Sequence, residues 1–286
     1  MVRKLLRAAL IAGVAMTASA PVGATQWLNY HWATDGSGLK VRVNSSISAV
    51  WQNAPAGAAI GPVPGAVADW ETSTVLTLNP QSSTADPKRC SPINTQILVC
   101  NAAYGKRGWL GIANIWTNGD HIYQATTKLN DSYFASGSYN QPKWRNMVAC
   151  QEIGHDFGLD HQDENFSNAN LGTCMDYTND PAPSGGPNNE HPDQLDYDTL
   201  TAMYNHGDGT NSATFAAPAT NFGIRAVGQA LRAGYEPAGT SRTEWGTAIH
   251  RDAKGRPDVF VKGLGGIHKL ITHVFWAVEA SGHEAD

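Results

Sequence analysis

The sequence has few charged residues, no long apolar run beyond its N-terminus and only four cysteines. Charged residues make up 16% of the 286 residues, and the formal net charge is −5. Nucleic-acid binding needs an excess of basic charge, so the composition argues against a nucleic-acid partner. No segment approaches the roughly 20 apolar residues of a membrane-spanning helix, so we expect no membrane partner. With 41% hydrophobic residues, the chain can form one large domain, or a domain and a smaller one.

The N-terminus is typical of a secretory signal peptide. Arg3, Lys4 and Arg7 form a basic start, an apolar run follows over residues 8–18, and small residues precede cleavage sites after Ala20 or Ala24. We therefore predict a signal peptide over residues 1–24 and a secreted, extracellular protein.

The four cysteines are Cys90, Cys100, Cys150 and Cys174, and none forms a CxxC pair. A cysteine zinc site is therefore not expected, and two disulfides are the default in an oxidising compartment. Three pairings are possible, of which proximity in sequence favours Cys90–Cys100 and Cys150–Cys174.

Hydrophobic periodicity predicts strands and helices along the whole chain. Strands are predicted at 39–43, 75–78, 97–101, 122–129, 248–250, 259–261 and 271–276, and helices at 63–72 and from Pro142 through Ile153. The composition of residues 206–220 indicates a linker. It separates a domain at 25–205 from a small β-rich C-terminal region at 221–286, in which we identify no chemistry.

The segment from Cys150 to His161 carries the clearest chemistry. On a helix, residues 151 and 155 emerge from the same face, and Glu152 lies one step round. Gly158 permits a positive φ, so the chain can turn and bring His161 back towards His155. Two imidazoles, a third ligand at Gln151 and a neighbouring carboxylate would form an open zinc site with an adjacent base. Taken singly, His31, His121 and His250 are typical of ordinary structural histidines.

This pattern resembles the metzincin zinc endopeptidases, in particular the matrixin-like branch, with its H-E-x-x-H-x-x-G-x-x-H motif and Met-turn. The resemblance implies that Glu152 is the general base and that His155 and His161 bind zinc. It also implies that Met175, in the Met-turn, lies below the metal and that Tyr177 assists catalysis; a packed Met-turn aromatic is the other interpretation of Tyr177.

For the fold, the resemblance implies an α+β domain with a twisted mixed sheet, a long active-site helix and a closing C-terminal helix, followed by the small β-rich extension. It places residues 122–130 at the edge of the sheet, where an extended substrate would align. It also supports a Cys150–Cys174 bridge between the helix and the Met-turn.

One position departs from the family, because Gln151 stands where the motif has its first histidine. The glutamine amide oxygen reaches as far as an imidazole Nε2 but is a weaker zinc ligand. We therefore expect a weakened zinc site.

These observations predict a secreted, monomeric zinc endopeptidase that acts on protein or peptide substrates. The alternative is a catalytically weakened or inactive binding protein on the same scaffold. A third hypothesis is an exported calcium- or carbohydrate-binding module built on the C-terminal strands and on the stretch from Glu152 to Tyr204, which has no Lys or Arg but eleven acidic residues. They are a solvated face or ligands of a structural Ca²⁺ ion, although no EF-hand spacing is present.

Overall fold

A mixed β-sheet extends through the residues that the structure, a computed structural model, describes: 29–215 and 239–279. The strands are β1 (His31–Trp32), β2 (Leu39–Ser46), β3 (Leu76–Ser82), β4 (Ile97–Ala102), β5 (Trp109–Asn118), β6 (His121–Asn130), β7 (Thr247–Arg251), β8 (Pro257–Gly265) and β9 (His268–Trp276). The predicted signal peptide and residues 216–220 of the predicted linker lie outside the described residues.

The sheet has a parallel half and an antiparallel half. Its order is β3-β2-β4-β6-β5-β9-β8-β7, and β1 pairs with the beginning of β6. The pairs among β1, β2, β3, β4 and β6 are parallel, whereas the pairs from β6 through β5, β9 and β8 to β7 are antiparallel.

Six helices accompany the sheet in the described part of the chain. They are α1 (Ala49–Gln52), α2 (Pro62–Trp70), α3 (Asp131–Phe134), α4 (Pro142–Asp156), α5 (Gln194–Tyr204) and α6 (Arg242–Trp245). Helix α4 begins with a proline at its first turn, where the missing N–H costs nothing. It packs against α2, and the Trp70 indole donates a hydrogen bond to the carbonyl of Cys150 at 2.9 Å. None of the described helices has the length and apolar character needed to cross a bilayer.

Both disulfides favoured by proximity are confirmed. Cys90 is bonded to Cys100, and Cys150 to Cys174. The second bridge joins α4, immediately before Gln151, to the turn that contains Met175.

The predicted fold class is wrong. The described residues form a mostly β, nine-stranded mixed sheet with few helices, instead of an α+β metzincin-like domain followed by a small separate β-rich extension. Strands β7, β8 and β9 continue the same sheet, because β9 pairs with β5 from Trp109↔Trp276 to Asn118↔His268. An unpaired strand edge exposes a row of backbone N–H and C=O groups. On β5 these groups form hydrogen bonds with β9.

The prediction that residues 122–130 form the sheet edge is also wrong. Strand β6 lies inside the sheet, between β4 and β5. The strand beside α4 that would otherwise be an edge is β5, and β9 already covers it.

Candidate metal centre

Helix α4 carries Gln151, Glu152 and His155 on its last turns, and all three side chains are fully buried. One helical turn separates Gln151 from His155, as their spacing predicts. The helix is buried along most of its length, so these polar groups face protein and not solvent.

A sharp turn after α4 returns the chain to the helix. Gly158 has a φ of 94°, and a side chain there would collide with the carbonyl oxygen of Tyr30. His155 Nδ1 lies 2.8 Å from the carbonyl oxygen of Leu159, which can accept its proton and leave the lone pair on Nε2. His161 then comes within 4.8 Å of His155, measured between ring centroids. The predicted return of His161 is confirmed.

A third imidazole comes from the C-terminal region. His273 lies on β9 opposite Ala113 of β5, and its ring centroid is 3.8 Å from that of His155 and 4.4 Å from that of His161. Each of the three histidines offers one nitrogen within 4.8 Å of the others. The structure therefore supplies three converging imidazoles without using position 151.

Burial sets the charge state of these histidines. It holds the pKa of His155 and of His273 well below the ordinary value, and the neighbouring imidazoles add to this effect. Burial also acts to lower the pKa of His161, but the hydrogen bond with Glu164 and the charge of Asp160 outweigh it, so that the pKa is raised. His155 and His273 are therefore neutral, which is the form that binds metals.

The Glu152 side chain lies against β5 at Gly111. Burial is the main cause that raises the pKa of Glu152 well above the ordinary value, and the charge of Asp156 adds to it. The backbone N–H of Ala113 acts to lower this pKa, although it forms no hydrogen bond of normal geometry with the carboxyl group. A side chain at Gly111 would place its Cβ 2.6 Å from Glu152 Oε1, so this glycine makes room for the carboxyl group.

The amide nitrogen of Gln151 makes a structural hydrogen bond. Its Nε2 donates a hydrogen bond to the carbonyl of Cys174 at 2.7 Å. Its Oε1 is buried and has no hydrogen-bond partner among the described residues. The amide oxygen thus stays available, and its predicted role as a metal ligand stays a prediction.

The turn around Met175 forms one wall of the cluster. The Met175 thioether packs on α4 at Gly154, where a side chain would come within 2.8 Å of the sulfur. Two residues later, Tyr177 is buried with its ring 4.2 Å from His161 and its hydroxyl 3.3 Å from His273 Nε2. Burial raises the Tyr177 pKa well above the ordinary value, so the phenol keeps its proton.

An outer layer of charged groups orients His161. Glu164 Oε1 lies 3.2 Å from His161 Nδ1 and 3.7 Å from His250 Nδ1. His250 Nδ1 is also 2.9 Å from Asp258 Oδ1 on β8. A carboxylate on Nδ1 leaves the His161 Nε2 lone pair for a ligand, which is the usual support of a metal-bound histidine.

The residues present fit a zinc ion. His161 Nε2 and both oxygens of Glu152 are buried without a hydrogen-bond partner in the described part of the chain. Buried polar atoms are rarely left unsatisfied, so the unpartnered nitrogen of His161, within the group of three imidazoles, indicates a missing partner there. Imidazole nitrogens with a carboxylate nearby are a donor set that zinc prefers.

Sequence reasoning missed His273, Glu164 and His250 as parts of this site. One signal for His273 was present: it is the only ionisable residue in the otherwise apolar or hydroxyl-bearing run Ile271–Trp276. The roles of Glu164 and His250 depend on contacts between distant segments, for which the sequence gives no local signal.

Comparisons with known proteins find matches among solved structures. No family model and no curated protein matches the chain. Among solved structures, a chain of the GM1-bound form of the ECX AB5 holotoxin is similar, with a TM-score of 0.38 and 16% sequence identity; the match covers 68% of this chain and 94% of that one. A match this weak supports no conclusion about fold or function.

Proposed function

We propose that the protein is a secreted zinc-dependent endopeptidase whose metal is held by His155, His161 and His273. The observation that carries this proposal is the convergence of three buried imidazoles, one of which lies on the same helix as the buried carboxyl of Glu152. The local resemblance of residues 151–161 to the metzincin motif supports it independently. Export is supported by the N-terminal pattern and by the two disulfides.

The proposal gives roles to His155, His161, Glu152 and Tyr177. His155 and His161 present Nε2 because Leu159 and Glu164 engage their Nδ1 atoms. Zinc bound here would polarise a scissile carbonyl and lower the pKa of a bound water towards about 7. Glu152 accepts a proton and passes it to the leaving amine, because the carboxylate form is favoured once positive charge lies beside it. The neutral Tyr177 hydroxyl can donate a hydrogen bond to developing negative charge.

A second candidate, a binding protein with little or no catalysis, is favoured by one observation. Strand β9 pairs with β5 along its length, and Glu152 is fully buried beneath them. An extended peptide therefore cannot align on β5 while β9 occupies it. Catalysis on polypeptides requires movement of β8 and β9, whereas a binding protein needs no such opening.

Zinc analysis with a peptidase assay distinguishes the two candidates. We would measure zinc in the mature chain after dialysis, together with hydrolysis of casein and a mixed peptide library, for the natural protein and for Glu152→Gln. The endopeptidase proposal expects bound zinc in both and a loss of hydrolysis of at least about 100-fold in the variant. Glu190→Gln, a change of the same kind at a half-buried carboxylate outside the cluster, serves as the control and should change neither.

Other outcomes reject parts of the proposal. Zinc that is retained while neither protein hydrolyses any substrate would favour the binding candidate. Zinc that is unaffected by His155→Ala would show that the metal does not bind at this cluster. Equal hydrolysis by the natural protein and Glu152→Gln would exclude Glu152 as the base.

A further inference from the structure

A second group of metal-binding side chains lies outside the site described above. His31 on β1, His121 at the start of β6, and His206 and Asp208 after α5 converge on the surface of the domain. Asp208 Oδ1 lies 3.4 Å from His31 Nε2, 3.5 Å from His121 Nε2 and 3.2 Å from His206 Nε2. The Nε2 atoms of His31 and His206 are 3.3 Å apart.

Hydrogen bonds alone account poorly for this arrangement. One carboxylate oxygen has about two lone pairs, yet three imidazole nitrogens surround Oδ1 of Asp208. The distances also exceed the 2.7–2.9 Å that is usual between a charged nitrogen and a carboxylate oxygen. In contrast, the edge of a tetrahedron with zinc–ligand bonds of about 2.0–2.1 Å is about 3.3–3.4 Å long. The four donor separations given above are thus close to those between tetrahedral zinc ligands.

The surroundings hold the donor atoms in this orientation. His31 Nδ1 is 2.9 Å from the carbonyl oxygen of Asn29, which leaves Nε2 for a ligand. The backbone N–H of Thr34 donates to Asp208 Oδ2 at 2.8 Å, so that Oδ1 is the oxygen directed at the histidines. The Thr34 hydroxyl donates to the carbonyl of His206 at 2.9 Å and fixes the backbone of that ligand.

We propose that His31, His121, His206 and Asp208 form a second zinc site, with a structural role. Four protein ligands close the coordination shell and leave no open position for a substrate. The four residues belong to segments far apart in sequence, so the metal would tie β1, β6 and the end of α5 together.

A zinc ion at this second site would also stabilise the end of α4, which bears His155 of the first site. Next to His31, the Trp32 indole donates to the carbonyl of Asp156 at 2.8 Å. The hydroxyl of Tyr204, two residues before His206 in the sequence, donates to the carbonyl of Phe157 at 2.6 Å. Both contacts are made at the end of α4, so the structural zinc would stabilise the turn between His155 and His161.

The test uses the natural mature chain, with Zn²⁺ alone as the probe. We would measure zinc per chain after dialysis, and thermal unfolding with and without added Zn²⁺, for His121→Ala, His206→Ala and the double variant. These two side chains are 40% and 46% exposed, so their replacement leaves the core intact. His191→Ala is the control, because that histidine is also exposed and paired with a carboxylate.

The proposal expects each variant to lose one zinc ion per chain and to bind Zn²⁺ at least about 10–100-fold more weakly. The control should keep the natural zinc content, and Ca²⁺ or Mg²⁺ should not replace Zn²⁺. Co²⁺ bound to the natural chain should give the intense visible absorption of a tetrahedral site, reduced in the double variant. Unchanged zinc content and unchanged Zn²⁺-dependent stabilisation in a folded double variant would overturn the proposal. These readouts do not depend on peptidase activity.

Discussion

Replacement of His273 by phenylalanine tests whether the C-terminal region completes the metal centre. The substitution removes one of three imidazoles but keeps an aromatic ring at the position where the His273 ring centroid lies 3.8 Å from that of His155. Loss of supporting residues around a metal costs about 10–100-fold in affinity, so loss of a ligand should cost about 100-fold or more.

The size of the effect follows from linkage between binding and folding. At a free zinc concentration 100 times the dissociation constant, binding stabilises the natural chain by about 2.7 kcal/mol. At the same zinc concentration, a 100-fold weaker variant gains only about 0.4 kcal/mol. For a domain of this size these values correspond to shifts of about 5–11 °C and about 1 °C. Phenylalanine also crowds the core and costs about 1–3 kcal/mol without metal, so the comparison is between the two zinc-dependent shifts.

The assay is thermal unfolding of each protein with chelator and with buffered Zn²⁺. Every protein also carries His121→Ala and His206→Ala, so that the proposed second zinc site does not contribute to the shift. His268→Phe is the matched control, because it makes the same change on the same strand, outside the cluster, and should keep the full shift. Gln151→Ala should also keep most of the shift but lower the stability of the metal-free protein by about 1–3 kcal/mol, since the Cys174 carbonyl loses its donor. A full shift in His273→Phe together with its loss in Gln151→Ala would refute the assignment of His273 and identify Gln151 as the third ligand.

Three further predictions concern stability and the base. Replacing Cys150 and Cys174 by serine opens a 24-residue loop and should lower the free energy of unfolding by about 3.5 kcal/mol in urea titrations; a loss below about 1 kcal/mol would contradict this. Gly111→Ala should lower peptidase activity at least about 10-fold while zinc is retained, because the methyl group displaces the carboxyl of the base. The hydrogen bond with Asp258 raises the pKa of His250 to about 9, and the Glu164 and Asp160 charges act in the same direction. Because the pKa is raised in the folded state, protonated His250 stabilises the fold fully below about pH 6.5. This stabilisation is lost as the pH rises through about 9. His250→Gln should therefore reduce stability at pH 6, by less than about 1 kcal/mol for this half-exposed group, and leave it unchanged at pH 10; equal losses at both would refute the pairing.

Local sequence patterns predicted most strands and the two main helices. Strand β2 alternates in burial as its sequence does, and α4 follows its proline start and helical spacing. Strand β5 was missed, because nine of its ten residues are buried and no alternation marks it. The fold class was wrong because strand pairing is non-local: nothing within residues 268–276 specifies that they pair with residues 109–118.

The residues of the first proposed metal site also fall into those that local sequence predicted and those that it did not. The sequence alone predicted that His161 returns to His155, because a helix followed by a glycine turn brings near neighbours together. The sequence did not predict the position of His273, because the β5–β9 register decides which face of the sheet carries this side chain. A shift of the register by one residue would place the side chain on the opposite face.

The sequence by itself thus determined the helix, its turn, the favoured disulfides and two of the three histidines of the proposed metal centre. All of these depend on residues close together along the chain, whose geometry follows from backbone periodicity. Only the tertiary structure decided that β7–β9 complete the sheet, that β9 covers β5, and that His31, His121, His206 and Asp208 meet. These features arise from pairing between distant segments, where buried area and backbone hydrogen bonding select one register among many.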